Sequence, residues 1–221
     1  MDAMTDDGER GMSAQKKLTR AEQKALRPAQ ILDAAFEEFV RNGFTATRVE
    51  DIADRVGVTK GTVYVYFETK EQLFEAMISH FSVAFHELLD NTDRLDGSVT
   101  DRLKAILGLL YDQIVEDRIT RELLRLVISE GHRFPDLIDR HHDQFIAPII
   151  AKIEDLMREG MSSGEFRQMP VEFSDIVVAP ILTTTILRLI FDDRRARTPN
   201  KDAFMRAYFD LLLNGLLVRR S

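Results

Sequence analysis

Apolar residues recur every three or four positions along almost the whole chain, while period-two alternation of β-branched residues is rare. A chain patterned this way can bury its apolar side chains only as amphipathic helices packed on one another. Glycine and proline punctuate the pattern rather than fill it. Pro28 reads as a first-turn proline, whose missing N–H would be unpaired there anyway. From it, Ile31, Leu32, Ala35, Phe36 and Phe39 share one face, and Gly43 is a stop. Thr47 with Glu50 has the spacing of a capping box, opening a two-turn stripe of Val49, Ile52, Ala53 and Val56 that ends at Gly57. Thr59 caps a third short helix through Phe67. Thr69 with Gln72 opens a long one through Phe74, Met77, Ile78, Phe81 and Phe85. Beyond the turn-rich stretch 91–98, helices are expected at 99–116, 119–130, 136–160, 171–192 and 201–219. The expected fold class is all-α, with about nine helices.

The longest uncharged apolar run, Ile176 to Leu187, is well short of the roughly 18–20 residues that span a bilayer. The N-terminal stretch is charged, with no apolar run of the secretory kind. Cysteine is absent, which removes disulfides, thiolate metal sites and thiol redox chemistry. A cytoplasmic location is the expectation. The formal net charge is −7, yet its distribution is uneven. Residues 13–70 carry ten Lys/Arg against eight Asp/Glu, whereas 71–221 carry nineteen against twenty-five. Within 13–27, Lys16, Lys17, Arg20, Lys24 and Arg27 face only Glu22, so a basic arm precedes an acidic body.

Two short helices joined at Gly57-Val58 have the layout of a helix-turn-helix: glycine lets the chain reverse, and the small Ala53 lets the helices approach. In that motif the second helix enters the major groove N-terminus first. Here its residues are Thr59, Lys60, Gly61 and Thr62, followed by Tyr64 and Tyr66. Lys60 can donate to guanine or phosphate, and Thr62 offers a hydroxyl and a methyl to a base edge. Gly61 lets backbone approach the duplex, and the tyrosines can donate to phosphate. Thr47 and Arg48 begin the preceding helix, where free N–H groups favour an anion, and Lys70 begins the following one. A plain helical hairpin inside an all-α core would account for the same residues.

The stretch Ile31-Leu-Asp-Ala-Ala-Phe, then Gly43-Phe-Thr-Ala-Thr-Arg, Asp51-Ile-Ala, Gly57-Val-Thr-Lys-Gly-Thr-Val-Tyr-Val-Tyr-Phe and Lys70-Glu-Gln-Leu, resembles the DNA-binding domain of the tetracycline-repressor (TetR/AcrR) family. The likeness covers about 27–77 in order and spacing. It implies a homodimeric, ligand-responsive repressor, with DNA contacts at Thr47, Arg48, Lys60, Gly61, Thr62, Tyr64, Tyr66 and Lys70. Arg55 and Val56 stand where the family often has small residues. The segment Leu123–Leu137 is loosely similar to C-terminal domains of repressors that include efflux-pump regulators. The implied organisation is a disordered tail at 1–15, a helix-turn-helix domain at 16–70 and an effector-binding and dimerisation domain at 71–221.

The segment 173–191 is apolar nearly all round and must be covered on both sides. A partner subunit is the economical cover, with the last helix contributing Phe204, Tyr208, Leu211 and Leu212, and Arg188 in an interface ion pair or, as the alternative, meeting an anionic ligand; burial in a monomeric core is the other reading. The effector-pocket candidates are Phe74, Met77, Phe81, Leu110, Tyr111, Ile114, Val127, Phe134, Phe145 and Thr184, suiting a small, mainly apolar molecule. Stripes of this kind are also plain core. The five histidines lack a metal-ligand spacing and no activated-nucleophile motif stands out, so neither metal, cofactor nor enzymatic activity is expected. A DNA-binding protein without an effector, and a helical enzyme keeping a DNA-binding-like head, are the competing readings.

Overall fold

The computed structural model describes residues 19–92, 94–170, 174–195 and 200–216. The tail expected at 1–15 lies outside them. Eleven α-helices and no β-strand occur among the described residues: α1 (Arg20–Ala46), α2 (Val49–Val56), α3 (Lys60–Tyr66), α4 (Lys70–Phe81), α5 (Ala84–Thr92), α6 (Val99–Tyr111), α7 (Arg118–Glu130), α8 (Pro135–His141), α9 (Ala147–Ser162), α10 (Ala179–Arg195) and α11 (Lys201–Leu216). None of these helices is long and apolar enough to cross a membrane.

Several local expectations are corrected. Pro28 lies inside α1, which starts two turns earlier at a capping box between Thr19 and Glu22. At Gly43 α1 breaks, with φ of 72°, a conformation open to glycine at no steric cost. Thr47 is no N-cap; Arg48 holds that position without a side-chain bond, and Gly57 ends α2 in the left-handed conformation. The helix opened by Thr69 stops at Phe81, where Ser82 turns its hydroxyl back onto the Ile78 carbonyl at 2.8 Å and α5 begins afresh. A π turn over 142–146 divides the expected 136–160 helix into α8 and α9. The expected 171–192 helix is a 3₁₀ turn at Ser174–Val177 followed by α10. Two of the nine expected helices are thus each two.

Two hydrophobic cores organise the molecule. One gathers α1–α4 around Ile31, Phe36, Phe39, Phe44, Ile52, Val63 and Phe74, and continues through Leu123, Leu126, Phe134 and Leu137. The other gathers α6, α9 and α11 around Leu103, Ile106, Leu107, Tyr111, Ile153 and Phe166. The first core extends past residue 70, since Leu73, Phe74, Met77 and Ile78 of α4 belong to it. The seam between head and body is aromatic. Phe134 lies 5.0 Å from both Phe44 and Phe74, and the Glu130 carboxylate accepts the Phe44 N–H at 3.3 Å.

Candidate nucleic-acid interface and ligand cavity

The surface of the head is arranged by α1. Glu38, 6% exposed, takes the Arg55 guanidinium (Nε to Oε1, 2.9 Å) and the Asn42 amide at 3.0 Å, so α2 is clamped to α1 by a charge pair whose carboxylate is buried. Arg55 therefore has a bracing role that its place in the sequence motif did not signal. The clamp fixes the angle from which α3 projects.

On α3, Thr59 is the N-cap; its hydroxyl oxygen accepts from Thr62 N at 3.2 Å and lies 2.9 Å from the Thr62 hydroxyl. Val63 alone on this helix is fully buried. Lys60, Gly61 and Tyr64 are exposed, and Thr62 and Tyr66 half-buried, Tyr66 packing on the head core. A Cβ at Gly61 would meet nothing nearer than the Thr59 hydroxyl at 3.7 Å, so the chain's own packing does not require glycine there. Lys60 Nζ stands 2.8 Å from the Glu50 carboxylate; that hydrogen bond raises the lysine pKa and lowers the glutamate's, and keeps the cation beside the N-terminus of α3. Sequence reasoning passed over Val65, which is 80% exposed on this helix, because a valine in a helical stripe reads as core.

Around α3 the placements diverge. Arg48 is exposed at the start of α2. Thr47 is buried, its one hydroxyl proton shared between the carbonyls of Gly43 at 2.7 Å and Glu38 at 3.0 Å, so its side chain is not free to meet DNA. Lys70 is half-buried: Nζ donates to the Thr45 carbonyl at 3.2 Å and lies 4.6 Å from the Phe44 ring centroid, and burial lowers its pKa.

A second feature lies in the body. A cavity of about 160 Å³ opens between α5, α6, α7, α8, α9 and α10. Of the pocket candidates only Leu110, Ile114 and Val127 line it. Phe145 is next to it, its ring 5.1 Å from that of His141 and 6.1 Å from Phe85, both of which do line it. The remaining candidates are corrected. Phe74, Met77 and Phe134 are in the head core, and the Phe81 ring lies tilted against Phe36, centroids 4.6 Å apart. Tyr111 is sealed in the body core against Phe204 at 5.2 Å, and Thr184 is turned to the Pro180 carbonyl at 2.9 Å. Residues that reasoning from sequence missed include Phe85, Leu123, Ile149, Ile150 and Leu182, whose spacing is indistinguishable from core, and two polar ones, Thr120 and His141. His141 has its pKa lowered, chiefly by burial and then by His142. No group of three His, Asp or Glu side chains among the described residues is placed to hold a metal ion.

The expected interface residues also separate. Arg188 is turned inward, donating to the Val115 carbonyl at 2.9 Å and lying 3.6 Å from Glu116 of its own chain. Tyr208 is buried, its hydroxyl donating to the Val177 carbonyl, and Phe204 and Leu212 pack against the body core. Leu211 is 77% exposed. On α10, Leu182, Ile186, Leu187, Ile190 and Phe191 form an exposed apolar stripe at helical spacing.

Comparison with known proteins adds the following. The model of the tetR family of bacterial regulatory proteins matches residues 31–77. The HTH-type transcriptional regulator YfiR of Bacillus subtilis (strain 168) is 40% identical over 159 residues, 68% of this chain and 73% of that protein. A transcriptional regulator from Saccharomonospora viridis, solved in complex with choline, superposes with a TM-score of 0.73 at 19% identity, covering 88% of this chain and 100% of that one. The regulator FadR from Bacillus subtilis, in complex with stearoyl-CoA, gives 0.64 at 20% identity, covering 85% and 98%. At such identities these two likenesses concern the fold.

Proposed function

This chain belongs to the tetR family of bacterial transcriptional regulators, and from that premise we propose that it is a cytoplasmic, non-enzymatic repressor: a homodimer that holds a palindromic operator and releases it when a small, mainly apolar effector enters the body. The observation that carries this reading is the outer face of α3. Lys60, Gly61, Tyr64 and Val65 stand exposed, with the N-cap Thr59 beside them, on a seven-residue helix that gives the core only Val63 and part of Tyr66.

Each residue has a role suited to its placement. Lys60 exchanges its Glu50 partner for guanine or phosphate, and Thr62 meets a base edge beside it. Gly61 leaves room for the duplex, while Val65 offers apolar surface to a thymine methyl. Tyr64 and Arg48 lie within reach of the backbone, and Tyr66 and Lys70 fix the frame more than they extend from it. The exposed stripe of α10, with Leu211 of α11, is the face on which two chains would pack as four helices. A dimer holding two recognition helices about 34–36 Å apart reads successive major grooves. Cavity walls from α5 and α7, with α7 also in the head core, support effector control over a regulator that merely binds DNA; displacement of the α4–α5 segment is the proposed lever.

Selection of bound duplexes from a random pool, followed by footprinting, tests the reading. An inverted repeat with half-sites about one helical turn apart is expected. Enrichment of an unsymmetrical sequence, or of none, would reject it. Replacing Thr62 with valine should change which base is preferred at one position of each half-site, and a uniform loss across operators would remove base readout there.

A further inference from the structure

Among the described residues, no Asp, Glu, Lys or Arg lines the cavity in the body. An ion enclosed there would surrender its hydration with no countercharge in return, which costs several kcal/mol even after relaxation. Its size, about 160 Å³, is that of cavities known to take up a single benzene ring. Two polar side chains break the apolar wall. The Thr120 hydroxyl accepts from the Gln113 amide at 2.7 Å, which leaves it as a donor rather than as the stronger acceptor of the wall. His141 is the other.

The hydrogen-bonding state of His141 follows from its neighbour. Ser82 donates its only hydroxyl proton to the Ile78 carbonyl at 2.8 Å. Its oxygen, 3.4 Å from His141 Nδ1, is thereby free to accept, and on that geometry we assign the imidazole proton to Nδ1. Nε2 is left as a lone-pair acceptor on an uncharged ring. Phe85 and Phe145 pack against that ring, so it is held rather than swinging freely.

Building on the effector-cavity reading above, we propose that the effector is an uncharged, ring-sized apolar molecule carrying one hydroxyl or N–H donor, and that Nε2 of His141 is the acceptor that selects it. Ligands bearing a carboxylate or an ammonium group inside the cavity are excluded by the absence of a counterion. A ligand offering only an acceptor gains nothing from the imidazole.

Four probes of one ring size test this on the full-length protein at pH 8: phenol, toluene, benzoate and benzylammonium. Binding is read from the methyl resonances of Ile114, Ile149 and Ile150, which line the cavity. Phenol is expected to bind at least tenfold more tightly than either ion. In His141→Leu the ratio of phenol to toluene affinity should fall about tenfold, the scale of one hydrogen bond, and His141→Gln, whose amide oxygen also accepts, should keep most of it. The ratio is insensitive to any general loosening of the cavity by the substitution, since toluene reports that separately. An unchanged ratio in His141→Leu, or an ion binding as well as phenol, overturns the proposal while leaving the effector cavity standing. Methyl resonances that none of the four probes move would instead sink the cavity reading, and this proposal with it.

Discussion

Tyr111 and Tyr208 are both sealed in the body core, and burial raises the pKa of each phenol. They differ in one atom's surroundings. Tyr208 donates to the Val177 carbonyl, whereas the Tyr111 hydroxyl is buried with no hydrogen-bond partner among the described residues. Tyr208→Phe should therefore cost about 1 kcal/mol, since it strands a buried carbonyl, and Tyr111→Phe should be neutral or slightly stabilising. Urea denaturation at one fixed protomer concentration checks both, because association adds to apparent stability. The pH dependence has a definite sign. A folded-state pKa above the unfolded one means that the stabilisation is whole below about pH 10, the ordinary tyrosine value, and is lost as pH rises beyond it. Tyr208→Phe should flatten that alkaline loss. At the DNA face, Lys60→Ala should weaken binding to all sequences and reduce the slope of log K against log salt by about 1 if the ammonium neutralises a phosphate. A slope equal to wild type would assign Lys60 to base contact or to the Glu50 pair alone.

Between residue and molecule, the helices end where a local bond or a close approach makes them end. Gly160 lies within α9, where alanine is ordinarily worth about 1 kcal/mol more than glycine. Here a Cβ would stand inside van der Waals distance of the buried Phe166 ring, and the backbone N–H of Phe166 donates back to the Gly160 carbonyl at 2.8 Å. Gly160→Ala should therefore destabilise, by about 1–3 kcal/mol as for other overpacked cores, and calorimetry showing a raised Tm would refute the constraint. The same scale explains what could be read in advance. Caps are local, so Thr59 and Thr69 located α3 and α4 from sequence alone. The breaks at Ser82 and at the π turn over 142–146 are invisible, because apolar spacing continues through them. Which face of a helix meets which core is tertiary information: Phe74 and Phe134 have the spacing of cavity walls yet close the head, while Phe85 and His141 reach the cavity. Arg188 illustrates the limit. Its position in an apolar helix suggested an ion pair between subunits, but the π turn over 112–116 brings the Val115 carbonyl to it within one chain.

At the scale of the whole molecule, the apolar face of α10 is the feature that a lone protomer leaves unsettled. Leu182, Ile186, Leu187, Ile190 and Phe191 are each between 39% and 64% exposed, and the buried side of the helix is already occupied by Ile181 and Thr185. Stable interfaces remove about 1,200–2,000 Å² from water, and a helix stripe of this length with Leu211 beside it supplies the apolar centre of such a patch. A charge placed there would cost little in the separate chain, where the position is wet, and much in a dimer, where it would be buried without a partner. Ile190→Glu, at a position 64% exposed, is expected to keep the helical circular dichroism and the ring contacts of the core. It should shift the sedimenting species from two chains to one. Operator binding should then fall toward that of a single half-site, about 100-fold or more, because the second head no longer arrives tethered to the first. A variant that stays dimeric would move the interface off α10. A monomeric variant that still binds the full operator with wild-type affinity would mean that the two heads never depended on each other for their spacing.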